Sequence, residues 1–169
     1  MTAQKQKAAR ELLELEQLYQ KGIAFDDRQS QRWHELVANI FGPENAAHAR
    51  RSFRLPSQVP CTVRIGQGKF ECTALEISRM GLTLEGPVLR HITHDHQVEV
   101  VSTVLDGKAA ALNLICTVAR LEPAKDPPRA GLVFAAETAS NIRQRFFDVV
   151  YYPQYLRHLE HLTQKTGSR

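Results

Sequence analysis

The apolar positions along the first 42 residues recur with a helical period. Leu12, Leu15 and Tyr19 are spaced i, i+3, i+7, as on one face of a helix that Gly22 would end. A second helix is predicted before Gly42-Pro43, and its apolar stripe consists of Trp33, Leu36, Val37, Ile40 and Phe41. We therefore expect residues 1–43 to form an N-terminal helical extension, a hairpin that must bury its apolar face against something.

Between residues 58 and 137 the pattern changes to an alternation of apolar and polar residues, which is typical of β-strands. The glycine turn at 66–68 and the Asp106-Gly107 pair indicate hairpins. Six strands are predicted, at 61–65, 70–77, 82–86, 97–105, 110–122 and 129–134. Short strands joined by hairpins favour a six-stranded antiparallel β-barrel over a parallel sheet, so the predicted fold class is mainly β with flanking helices.

Residues 138–165 return to a helical pattern and are expected to form C-terminal helices. Ser140 or Asn141 can cap the first of them. Its apolar stripe consists of Ile142, Phe146, Val149 and Val150. Pro153 is expected to break this helix and to stand in the first turn of another. The remaining segment, residues 44–57, is interpreted as a linker between the helical extension and the barrel.

The composition is that of an ordinary globular chain, because 43% of the 169 residues are hydrophobic and 24% are charged. It excludes a disordered tail, a collagen-like chain and a disulfide scaffold. Cys61, Cys72 and Cys116 lie far apart without a CxxC pair, so we expect three buried thiols rather than a zinc site. No apolar run approaches the ~18–20 residues of a membrane span, and no signal-peptide pattern precedes the first helix. We therefore expect a cytoplasmic protein without membrane insertion.

Two short motifs carry the candidate chemistry. Arg50, Arg51 and Arg54 fall within five residues on the linker, where guanidinium groups can clamp phosphate oxygens and stack on flat bases. A bare RxxxR spacing also occurs in solvated basic linkers. The second motif is ExSxxG, and its residues Glu76, Ser78 and Gly81 stand between two predicted strands. Because a carboxylate accepts hydrogen bonds from the N1–H and N2–H₂ edge of guanine, the two motifs together predict a guanine nucleotide site.

RRSFRLP followed by ExSxxGL and a final GLVF strand resembles the PilZ domain family of bacterial cyclic di-GMP receptors, over about residues 48–150. Its signature is RxxxR followed by [D/N]xSxxG, and Glu76 stands where the family prefers Asp or Asn. The resemblance implies a six-stranded barrel with a C-terminal helix and a non-enzymatic receptor, with cyclic di-GMP as ligand and no metal or other cofactor. It implies that the ligand is bound by Arg50, Arg51, Arg54, Glu76, Ser78 and Gly81. It also implies that binding draws the arginine segment onto the barrel and relays a signal to a protein partner, in motility, pilus, exopolysaccharide or virulence regulation.

Several alternatives stay open at this point. A PilZ-like interaction module that has lost nucleotide binding would carry Glu76 as the sign of that loss, and a homodimer is as plausible as a monomer. A nucleic-acid partner is disfavoured, because the net charge is only +4 and the strands offer only Phe70 and Phe134 for base stacking. Arg79, inside the ExSxxG turn, either stacks on a base or faces water. A loop that could hold a metal ion is instead interpreted as solvated, and it contains His91, His94, Asp95 and His96.

Overall fold

The computed structural model of the protein describes residues 2–43 and 54–164. The chain divides into two compact units. One unit combines the N-terminal helices with the chain from Gln154 onward, and the other extends from Arg54 to Pro153. Arg50, Arg51 and the rest of residues 44–53 of the predicted linker lie outside the described residues.

The larger unit is a closed six-stranded barrel in which neighbouring strands are antiparallel. The strands are β1 Leu55–Ile65, β2 Gly68–Ser78, β3 Gly81–Glu85, β4 Gln97–Leu105, β5 Lys108–Glu122 and β6 Arg129–Phe134. Their order around the barrel is β1-β2-β3-β6-β5-β4, and β4 pairs with β1 to close it. Asp106 and Gly107 both have positive φ, as the predicted two-residue hairpin turn requires. The predicted fold class is confirmed.

Strand β1 begins at Leu55, earlier than the alternation in the sequence indicates. Leu55, Ser57 and Val59 point into the barrel, and the hydroxyl of Ser57 donates a hydrogen bond of 2.6 Å to the carbonyl of Ala74 on β2. Two prolines, Pro56 and Pro60, occupy exposed positions between these inward residues. Proline is rare in strands because it cannot donate to the ladder, and the pairing is irregular after Pro56. Because one inward position is a serine and two outward positions are prolines, the hydrophobic pattern alone does not predict this half of the strand.

The three cysteine thiols lie in the barrel core, as predicted. Burial raises the pKa of Cys61 and of Cys116 to about 12 and that of Cys72 to about 11. The thiols are therefore protonated at neutral pH, and a protonated thiol is neither a nucleophile nor a metal ligand.

The C-terminal segment remains helical through Pro153, so the predicted break there is wrong, whereas the prediction that Pro153 stands in the first turn of a further helix is confirmed. Helix α3, Ser140–Phe146, continues into a π-helical turn, Phe147–Tyr151, and then into helix α4, Tyr152–Gln164. The N–H of Tyr152 bonds to the carbonyl of Phe147, five residues back. This wider turn shifts the hydrogen-bond register, and Pro153 then falls in the first turn of α4, where the missing N–H is tolerated.

The helical unit contains α1, Ala3–Gln20, and α2, Asp27–Phe41, together with α4 from Gln154 onward. Glu16 of α1 is 5% exposed, whereas Tyr19, an apolar-stripe residue in the sequence pattern, is 60% exposed. The Glu16 carboxylate oxygen Oε1 accepts hydrogen bonds from Trp33 Nε1 at 2.7 Å and from the Tyr155 hydroxyl at 2.8 Å. One buried carboxylate thus connects three helices.

Candidate functional site

The structure brings one residue of each sequence motif together on the barrel surface. Arg54 immediately precedes β1, and its Nη1 lies 3.5 Å from Oε2 of Glu76 on β2. The side chains are 63% and 43% exposed, respectively. An exposed ion pair of this length contributes little to stability, because water screens both charges. Arg54 can therefore exchange this partner for another anion at small cost.

Glu76 is held from the opposite side by Thr83. Cross-strand pairing places Glu76 between Pro56 of β1 and Thr83 of β3. The Thr83 hydroxyl is 3.0 Å from the carboxylate and donates to the same oxygen, Oε2, that Arg54 contacts. Within residues 2–43 and 54–164 the other oxygen, Oε1, accepts no hydrogen bond. The site therefore presents one fixed carboxylate with a lone acceptor oxygen on a half-exposed side chain.

Ser78 and Gly81 shape the turn between β2 and β3. The Ser78 hydroxyl donates to the Gly81 carbonyl at 3.1 Å and accepts from the Met80 N–H at 3.2 Å. A Cβ atom on Gly81 would overlap the carbonyl oxygen of Leu132 on β6, so only glycine fits this close approach of β3 to β6. Both residues are buried. In this structure both residues stabilise the turn that follows Glu76.

Arg79 is exposed, in agreement with one of the two placements that the sequence suggested, and it also contacts an aromatic ring. Its guanidinium carbon lies 4.4 Å from the centre of the Phe147 ring, a cation–π contact. Phe147 opens the π-helical turn and stacks on Tyr151 and Tyr152, with ring centres 5.5 and 5.6 Å apart. The turn of the second motif therefore contacts the π-helical turn of the C-terminal segment within the same unit.

The histidine loop makes local contacts. Nδ1 of His96 accepts a hydrogen bond from the Thr93 N–H at 2.9 Å, and Nδ1 of His94 lies 3.4 Å from the carbonyl of Val118. No group of three or more His, Cys, Asp or Glu side chains that could hold a metal ion occurs in the described part of the chain. Among the described helices, none combines the length and the apolar character that crossing a membrane requires.

Sequence reasoning missed Thr83 and Phe147. Thr83 follows Gly81 by two residues, and the alternation of β3 together with hairpin register would have placed it opposite Glu76. Phe147 is 68 positions from Arg79, and its pairing with that residue depends on tertiary structure alone.

Comparison with known proteins identifies one family. The model of the PilZ domain family matches residues 48–151. The search of curated proteins finds no match. Similar solved structures include the PilZ domain of CeSA from a cellulose-synthesizing bacterium, with 19% identity, a TM-score of 0.48 and coverage of 61% of this chain and 99% of that one.

Two further solved structures are longer than the matched region. The inhibitor of motility of Bacillus subtilis shows 14% identity and a TM-score of 0.49, with 63% of this chain and 50% of that chain covered. The PlzA protein of Borreliella burgdorferi, solved in complex with c-di-GMP, shows 8% identity and a TM-score of 0.40, with 65% and 47% covered. This chain therefore spans about half the length of each of these two chains.

Proposed function

Because this chain belongs to the PilZ domain family, we propose that it is a non-enzymatic receptor that binds cyclic di-GMP through its RxxxR and ExSxxG motifs. The observation that supports the proposal most directly is the meeting of Arg54 and Glu76 at 3.5 Å on the barrel surface. A cation from the first motif and an acceptor from the second stand side by side there. These are the groups that a phosphate and a guanine base require.

The chemistry of the proposed complex follows from the charges in the site. Arg54, together with Arg50 and Arg51, donates to the phosphate oxygens of the dinucleotide. Oε1 of Glu76 accepts from the N1–H and N2–H₂ edge of a guanine. Ser78 and Gly81 act by holding the turn in place. The exposed pair between Arg54 and Glu76 is exchanged for a charge-assisted, bidentate contact with phosphate, which is the stronger interaction.

We propose further that occupancy of the site is relayed to a protein partner in the cytoplasm. Arg54 stands directly at the start of β1, so a ligand that holds it also acts on the segment that precedes the barrel. Ordering of a segment on ligand binding is a common way to pass on a signal. Regulation of motility, pili, exopolysaccharide or virulence is the corresponding output.

Calorimetric titration with cyclic di-GMP tests the proposal. The protein is expected to bind with micromolar or tighter affinity, and Arg54→Ala is expected to weaken binding by about tenfold or more, since it removes a charged donor. Arg90→Ala is the matched control, because Arg90 is also an exposed arginine of the barrel unit in a long ion pair, 3.4 Å from Asp126. The Arg90→Ala variant should bind cyclic di-GMP with the affinity of the unchanged protein. No detectable heat at two temperatures would contradict the receptor function.

The alternative function is that of a PilZ-like interaction module without a nucleotide. The observation that favours it is the exposure of large apolar side chains near the loop between α1 and α2, where Tyr19 is 60% and Ile23 is 47% exposed. Such residues are enriched in protein interfaces. If the titration shows no binding, these residues become the first place to search for a partner surface.

A further inference from the structure

Thr83 lies outside both sequence motifs, yet its hydroxyl contacts the acceptor residue of the proposed site. It stands on β3 directly opposite Glu76 of β2, and its side chain is largely buried, with the residue 8% exposed. The hydroxyl has one proton to donate, and it donates it to Oε2 of Glu76 at 3.0 Å. Because threonine is branched at Cβ, its χ1 torsion is restricted and the donor is itself fixed.

A glutamate needs such a tether more than an aspartate does. Its carboxylate is one methylene further from the backbone and has one more rotatable bond, so an untethered Glu76 on an exposed strand face would populate several rotamers. Arg54 contacts the same oxygen only through a long, exposed ion pair. Thr83 is therefore the short contact that fixes the direction of the carboxylate, and it leaves Oε1 available as an acceptor.

From this geometry we infer that Thr83 is the positioning residue of the nucleotide site. Its hydroxyl holds the Glu76 carboxylate so that Oε1 can accept the N–H edge of guanine. The inference rests on the proposed function and deepens it, since it assigns the orientation of the base acceptor to a residue that neither motif includes. It also gives a physical reason why a glutamate can serve at position 76.

The test compares three threonine variants by calorimetric titration of the whole chain with cyclic di-GMP. Thr83→Val keeps the shape and removes the hydroxyl, and we expect about fivefold to tenfold weaker binding from the loss of one hydrogen bond. Thr83→Ser keeps the hydroxyl and should bind within about twofold of the unchanged protein. Thr103→Val is the matched control, because Thr103 is a buried threonine of β4 whose Oγ1 has no hydrogen-bond partner within the described residues. Thermal unfolding of each variant shows whether the fold is retained.

A double variant separates positioning from a general effect on the barrel. Aspartate at position 76 is too short to reach Thr83, so Thr83→Val should not weaken nucleotide binding further in a Glu76→Asp background. The inference is overturned if Thr83→Val binds as tightly as the unchanged protein, or if Thr83→Ser binds as weakly as Thr83→Val. It is also overturned if Thr83→Val causes the same loss of affinity with glutamate and with aspartate at position 76. If the unchanged protein does not bind at all, the proposed function fails and this inference fails with it.

Discussion

Glu76 uses the full length of its side chain, because one oxygen reaches both Thr83 at 3.0 Å and Arg54 at 3.5 Å. Glu76→Asp withdraws the carboxylate by about 1.5 Å, one carbon–carbon bond, and breaks both contacts. We therefore expect aspartate to bind cyclic di-GMP several-fold more weakly than glutamate, measured by calorimetric titration. An interaction module that had lost its ligand through this residue would respond in the opposite direction, with a strong gain of affinity.

Glu85→Asp is the control for that experiment. Glu85 also lies on the barrel and accepts a hydrogen bond from Arg129 Nε at 2.8 Å, so shortening it perturbs an ion pair away from position 76. Its affinity for the nucleotide should remain that of the unchanged protein. A gain of affinity in Glu76→Asp with no change in Glu85→Asp would favour the module that has lost its ligand.

At the residue scale, the sequence motifs name candidate residues, and the structure adds the contacts that each of them makes. The order and spacing of the motifs singled out Arg54, Glu76, Ser78 and Gly81 as candidates, and the structure gives the last two a structural task in the turn. Thr83 lies outside the motif, and identifying its contact requires the pairing register of the β2–β3 hairpin, which places Thr83 opposite Glu76. Hydrogen bonds between neighbouring strands follow register, and motifs do not encode it.

At the element scale, the pairing of β3 with β6 depends on the absence of a side chain at Gly81. Gly81 pairs with Val133 of β6, and an added Cβ atom at Gly81 would overlap the backbone of Leu132. Gly81→Ala should therefore force the strands apart and lower the free energy of unfolding by about 1–3 kcal/mol. Urea unfolding followed by circular dichroism measures this loss.

Gly131→Ala provides a matched comparison on the adjacent strand. A Cβ at Gly131 meets the side chain of Arg120 at 3.4 Å, an ordinary contact distance. The free energy of unfolding should change by no more than about 0.5 kcal/mol. Equal losses in the two variants would mean that the close approach at Gly81 is not the cause, and that glycine is required there for another reason.

Proline explains where the elements depart from the hydrophobic pattern. Buried and exposed positions alternate in β1 from Leu55 onward, but the buried Ser57 interrupts the hydrophobic pattern, and Pro56 and Pro60 on the exposed face are residues that normally argue against a strand. Pro153 normally argues for the end of a helix, yet the π-helical turn before it lets the helical path continue. The other five strands contain no proline, and their approximate positions could be predicted from alternation and turn residues.

At the scale of the whole molecule, the chain combines a barrel unit with a helical unit whose core contains a charged group. The sequence predicted the two N-terminal helices but assigned Tyr19 to the buried stripe of α1 and left Glu16 out of it. The reason is that the Glu16 carboxylate accepts hydrogen bonds from the side chains of Trp33 and Tyr155, and Tyr155 is 139 positions away in the sequence. A pattern of apolar residues cannot reveal a buried carboxylate whose donors come from distant parts of the chain.

Trp33 is the single tryptophan of the sequence, so its fluorescence reports on the helical unit alone. Glu16→Leu would remove the hydrogen bonds that Glu16 Oε1 accepts from Trp33 Nε1 and from the Tyr155 hydroxyl. The loss of two hydrogen bonds lowers the free energy of unfolding by about 1–3 kcal/mol, so the fluorescence transition should move to clearly lower urea concentration. Glu16→Gln keeps a side-chain oxygen that accepts both bonds, and its shift should be smaller. Equal shifts in the two variants would show that the negative charge of Glu16, rather than its acceptor oxygen, stabilises the helical unit.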